Sequence, residues 1–127
     1  MIVHYWADTE QTVRKVDFRG RWNWTECEEV FIDIQGIIAS KEHIVDLIAD
    51  FSHSEEIPAF ALSKTYKILS LLTENTGIIV LLNIRGIAKV IRVTVIQVKP
   101  EYADRLPEAT TSEEAMCIIN ALRERIA

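Results

Sequence analysis

Cysteine, proline and glycine are scarce in this chain: it has two, three and four of them among 127 residues. Two cysteines are too few for the disulfide framework of a small secreted domain, and neither Cys27 nor Cys117 has a histidine or a second cysteine at the spacing of a metal site. Both fall on apolar helix faces, so they read as buried free thiols in a reducing compartment. No stretch is rich in Pro, Gly or Ser and no segment repeats, which excludes a linker between two domains and a solenoid. Positive charge is also short, with 14 basic against 19 acidic residues and a formal net charge of -5. That balance lacks the electrostatic footprint of a nucleic-acid or anionic-membrane binder. No uncharged run reaches the roughly 18 residues needed to span a bilayer. Residues 1–7 also lack the basic start and apolar run of a signal peptide. The expectation is a cytoplasmic protein with no nucleic-acid partner and no membrane insertion.

What the chain does have is apolar content, 49 % hydrophobic against 26 % charged residues, enough for one continuous core. Residues 2–7 and 12–18 alternate, with Val13, Lys15 and Asp17 opposite in parity to Arg14, Val16 and Phe18, so a hairpin is expected. The tract 20–24 breaks the pattern. Thr25 and Glu28 then stand at capping-box spacing ahead of Cys27, Phe31, Ile34 and Ile38, predicting a helix over 25–39. Residues 43–50 are apolar on both alternating faces apart from Asp46, as in a central parallel strand, and 51–57 read as a loop. Pro58 suits a first helical turn, and Phe60, Ala61, Tyr66, Ile68, Leu69 and Leu72 continue a helix towards Asn75 and Gly77. A second buried strand spans 77–82.

Residues 86–98 fit both a helical stripe and strand alternation. Because the next short strand, 106–110, needs a crossover before it, helix is the reading taken. The chain closes on a helix in which Thr111 and Glu114 repeat the capping spacing. Ala115, Ile118, Ile119, Leu122 and Ile126 share one face of it, with Arg123 and Arg125 near its negative end. The class is therefore α/β: an N-terminal hairpin, then parallel strands in a mixed sheet, with about four helices, all in one domain over 1–127.

Several tracts resemble a known family. Residues His43 to Phe51 (HIVDLIADF) look like the aspartate-ended strand of STAS-like domains, which have the SpoIIAA-like fold, and Ala109 to Ala115 (ATTSEEA) is similar to that family's last strand-to-helix turn. Arg21 to Glu26 (RWNWTE) and Lys99 to Arg105 (KPEYADR) look more like its bacterial branch of undefined function than like the sporulation regulators. The resemblance implies a protein-interaction or small-ligand module. In the regulatory members, helix two opens on an Asp-Ser-Ser-Gly-like motif whose serine is phosphorylated, adding a charge of roughly -2. Here residues 57–62 (IPAFAL) hold no Ser, Thr or Asp. A switch would need Ser52, Ser54 or Ser63, so regulation without phosphorylation is expected.

Chemistry, if any, concentrates in residues 50–56 (DFSHSEE), since ligands of open parallel sheets collect beyond the carboxyl ends of strands, where Asn83 and Arg85 also arrive. His53 as base, Ser54 as nucleophile and Asp50 as orienter is the catalytic option. Adjacent residues seldom point at one another, however, and there is no nucleophile elbow. Asp50, His53 and Glu56 as metal ligands lack paired helical geometry. His4 and His43 read as structural. Trp22 and Trp24 either cap the core or form an exposed patch. Phe60 and Leu62 suggest an apolar docking surface. The expectation is a non-enzymatic binding module without cofactor or metal. Its partner would be another protein, a second copy of the chain or a small apolar, lipid-like ligand, met by Trp22, Trp24, Asp50, Ser52, His53, Ser54, Phe60, Asn83 and Arg85.

Overall fold

The computed structural model describes residues 1–126. Five strands form one sheet in the order β1 (Ile2–Trp6), β2 (Val13–Gly20), β3 (Val45–Ser54), β4 (Thr76–Leu82), β5 (Glu108–Ala109). β1 is antiparallel to β2 and every later pairing is parallel, so the protein is α/β with β3 and β4 inside the sheet. The helices among the described residues are α1 (Trp24–Ala39), α2 (Ala61–Ser70), α3 (Ile87–Val98) and α4 (Ser112–Ile126), with a 3-10 turn at Pro100–Ala103. None of them is long and apolar enough to cross a membrane.

Local chemistry sets the hairpin. The Asp8 carboxylate accepts the amides of Thr12 (2.9 Å) and Val13 (3.0 Å), and Gln11 takes a left-handed φ of 58° to turn the chain back. The cap of α1 lies two residues before the expected Thr25. Asn23 Oδ1 accepts the Glu26 amide at 2.8 Å, while Glu28 turns instead to Lys64 and Lys67 of α2. Cys27, Phe31, Ile34 and Ile38 face the core as their spacing demands.

The two faces of the sheet differ. Val45, Leu47 and Ala49 of β3 belong to a large cluster with α1, α2 and α3. Ile48 joins Val13, Val80, Leu82 and Ala109 beneath Ala115 and Ile119 of α4. β3 continues four residues beyond the expected end at Asp50, because Arg19 and Gly20 of β2 pair with His53 and Ser54 and so convert half of the anticipated loop into strand.

Helix α2 departs most from expectation. It starts at Ala61 rather than Pro58, since Phe60 adopts a left-handed conformation (φ 64°, ψ 28°) that no helix can contain. It also ends at Ser70, short of Asn75. The Asn75 amide is occupied elsewhere, donating to Ile38 O (2.8 Å) and His43 O (3.1 Å). Residues 87–98 are helical, and β5 is shorter than the strand expected over 106–110.

In α4 the predicted cap is present. Thr111 Oγ1 accepts the Glu114 amide (3.1 Å), while Glu114 reaches back to Thr110 instead of Thr111. Ala115 and Ile119 are buried, whereas Cys117 is exposed, correcting the expectation of two buried thiols. A residue two positions from both 115 and 119 lies on the far side of the helix. Cys27 is the buried thiol, and burial first, then Glu28 and Glu26, push its pKa up to about 12. The side chain of Ile126, expected on the same apolar face, lies outside the described residues, as does Ala127.

Candidate functional site

The carboxyl ends of β3 and β4 bring together most of the residues singled out from the sequence, in two groups divided by the sheet. On the α4 side, Asp50 Oδ1 accepts the Ser52 amide (2.9 Å) and hydroxyl (2.5 Å), and Asn83 Nδ2 donates to Ser52 Oγ (2.6 Å). Lys15 Nζ lies 3.3 Å from Asp50 Oδ2 and 3.7 Å from Asp17, whose other oxygen accepts the Tyr5 hydroxyl. Burial opposes charge on Asp50, but the Ser52 bonds and the Lys15 ammonium outweigh it and hold the carboxyl below its usual range. Lys15 is likewise kept above its usual range, its desolvation outweighed by Asp17, Tyr5 and Asp50. In this network Lys15 offsets the two carboxylates, while Asp17 Oδ1 is buried without a hydrogen-bond partner. Tyr5, Lys15 and Asp17 were missed as partners of Asp50, although alternation put Lys15 and Asp17 on one face of β2.

The second group faces α1, α2 and α3. Trp22 is 7 % exposed, and its indole N–H donates to Ser54 Oγ at 2.9 Å. Trp24 packs edge-on to Trp22, with centroids 4.9 Å apart, and donates to Ala59 O at 2.9 Å. Phe18 stacks on Phe51 at 4.4 Å and meets Trp22 at 4.9 Å, so four rings run along one wall. Trp22 belongs to the core and the half-buried Trp24 packs against it with its N–H bonding Ala59 O at the surface, so the pair caps the core and forms no exposed patch.

The catalytic combination does not assemble. Ser54 is buried with its hydroxyl between Trp22 and Glu55 O, Asp50 orients Ser52, and the exposed His53 bonds to neither. Nor do Asp50, His53 and Glu56 converge. Among the described residues no cluster of three or more His, Cys, Asp or Glu could hold a metal ion.

The four rings line an apolar cavity of about 120 Å³ together with Ile79, Val95 and Leu106. It opens past Ile57, Ile84 and Ala88 into a wider recess lined by Arg85 and Asn83. Arg85 donates one bond to Ser54 O at 3.0 Å. No sequence signal marked the cavity, since each wall residue reads as ordinary core.

Outside, a shallow groove runs between residues 57–62 and α3. Phe60 projects beside it, 81 % exposed, with Leu62, Ile87 and Val90 also exposed.

No protein-family model matches the chain, and no curated protein does.

Proposed function

We propose that this chain is a non-enzymatic, STAS-like interaction module that acts in the cytoplasm, and that it grips an apolar helix of a partner protein in the groove between residues 57–62 and α3. The observation that carries this reading is Phe60. A bulky residue in the left-handed region is strained, and a phenylalanine with four-fifths of its surface in water gains almost nothing from the fold in return. Ile87, Val90, Val93 and Val98 extend the same apolar surface along α3, which buries only Val95. A groove flanked by such a row suits the spaced anchors of an amphipathic helix. The STAS-like part of the reading draws support from the N-terminal hairpin, the parallel strands that follow and the four helices. The absence of a phospho-switch draws support from position 60, where the regulatory motif would fall and where no acceptor stands.

The test is site-specific photo-crosslinking in the cells that make the protein, with benzoylphenylalanine at position 60 and, as control, at position 113 on α4. A partner joined from position 60 but not from 113, and lost in Val90→Asp, supports the reading. A partner that survives Val90→Asp but disappears in Ser63→Ala would place the contact at a displaced phosphoacceptor instead. Crosslinking to a second copy of the chain would make the module a homodimer.

A further inference from the structure

We infer that the cavity lined by the four rings is a binding site for a small molecule with a short apolar tail and one carboxylate, independently of what docks on Phe60. The pocket is open on one side and almost wholly apolar within, and an enclosed void of about 150 Å³ with comparable aliphatic and aromatic walls binds benzene. At about 120 Å³ this cavity takes a chain of a few carbons or a small ring. Its polar wall residues are Thr65 and Arg92, and Arg92 directs Nε to Leu106 O (2.6 Å) and Nη1 to Glu108 (3.3 Å). The rest of the wall is apolar, so its interior suits an apolar tail.

The mouth sets the head group. Arg85 stands in the recess that shares Ile57, Ile84 and Ala88 with the cavity. It spends one of its five N–H donors on Ser54 O and forms no ion pair among the described residues. The other arginine of the recess, Arg21, is taken by Glu55 at 3.1 Å. Glu56, also on the rim, is exposed and carries like charge to the ligand, which limits the site to a single carboxylate. A guanidinium with a free fork at the opening of an apolar hole matches a carboxylate two-pronged while the tail passes between Ile57 and Ala88. A recess partly apolar and partly polar at strand carboxyl ends is also where open parallel sheets bind ligands.

Titration of the intact protein with pentanoate, pentan-1-ol and pentylamine, followed by methyl NMR at Ile79, Val95 and Leu106, tests the site. The expected result is saturable shifts at all three positions with pentanoate. Pentan-1-ol should bind at least tenfold more weakly, and pentylamine more weakly still. Arg85→Met should lower pentanoate affinity to that of the alcohol and leave the alcohol unchanged. Ala49→Leu, which fills the cavity from β3, should abolish binding of both, and Ala88→Leu at the mouth gives the same readout should Ala49→Leu not fold. Absence of saturable shifts, equal affinity for acid and alcohol, or binding that survives both leucine variants overturns the inference.

Discussion

Arg123 of α4 reaches across the sheet to Asp46 of β3, its Nη2 and Nε 2.8 and 2.9 Å from Oδ2. Asp46 is 4 % exposed, and its other oxygen accepts the Ile78 amide at 2.8 Å. Arg123 also donates to Thr12 O at 3.0 Å, so one side chain ties the last helix to β3 and to the end of the hairpin turn. Removing the arginine leaves a buried carboxylate half-satisfied. Arg123→Ala is expected to cost about 2–3 kcal/mol, less than for a fully buried pair because the arginine keeps some contact with water. Gly77 belongs to the same arrangement, since a Cβ there would lie 2.0 Å from Asp46 Oδ1. Gly77→Ala must therefore displace the carboxylate, and the double variant should destabilise by clearly less than the sum of the singles. Urea denaturation of the four proteins checks this, and strict additivity would show that glycine and arginine act separately.

Phe60→Gly should make the protein more stable while weakening partner binding. Glycine adopts the left-handed conformation without strain, and the lost ring makes few contacts. The expected gain is about 0.5–1 kcal/mol, read from the urea midpoint. A loss of stability would mean that the ring packs on the fold and would remove the motive for a docking role.

His4 gives the fold a pH dependence near neutrality. Its Nδ1 lies 2.7 Å from Arg14 Nη2 and 3.1 Å from Nε, so it serves as acceptor and must be unprotonated. Burial first, then the Arg14 charge, hold its pKa below 6.5, with Asp33 opposing. In the unfolded chain the ring takes up a proton near its ordinary pKa, and in the folded chain only at lower pH. Stability is thus complete above about 6.5 and declines as pH falls from there towards the folded value. Asp8 and Asp50, both held below the ordinary 3.8, act only in more acid solution. His4→Gln, which keeps an acceptor for Arg14, should flatten the fall in urea midpoint between about pH 7.5 and 5.5. An unchanged slope would sink this assignment.

Ser54→Ala should cost about 1–2 kcal/mol, because it leaves the buried Trp22 N–H without an acceptor. Trp22→Phe removes that donor, so the alanine change made on top of it should cost much less. Equal costs in the two backgrounds would show that the bond contributes nothing.

The amino-acid pattern by itself carried the framework: an α/β class, a hairpin before parallel strands, a helix over 86–98 and the Thr111 cap of α4. Most of these rest on alternation and on helical spacing of apolar residues, which act over a few neighbouring positions, and the helix over 86–98 rests on the crossover that two parallel strands require. The same local information placed Asp50, Ser52, Asn83 and Arg85 at one edge of the sheet. It failed where a distant segment decided the outcome. β3 runs on to Ser54 only because Arg19 and Gly20 offer it a partner. Asn75 leaves the helical run because three carbonyls from residues 38–43 capture its side chain. Only the tertiary structure turned Trp22 and Trp24 inward and Phe60 outward, and only it left a hollow lined by Phe18 and Phe51. Acceptors, void and exposure are properties of segments thirty or more residues apart meeting in space, and no periodicity within one segment encodes them.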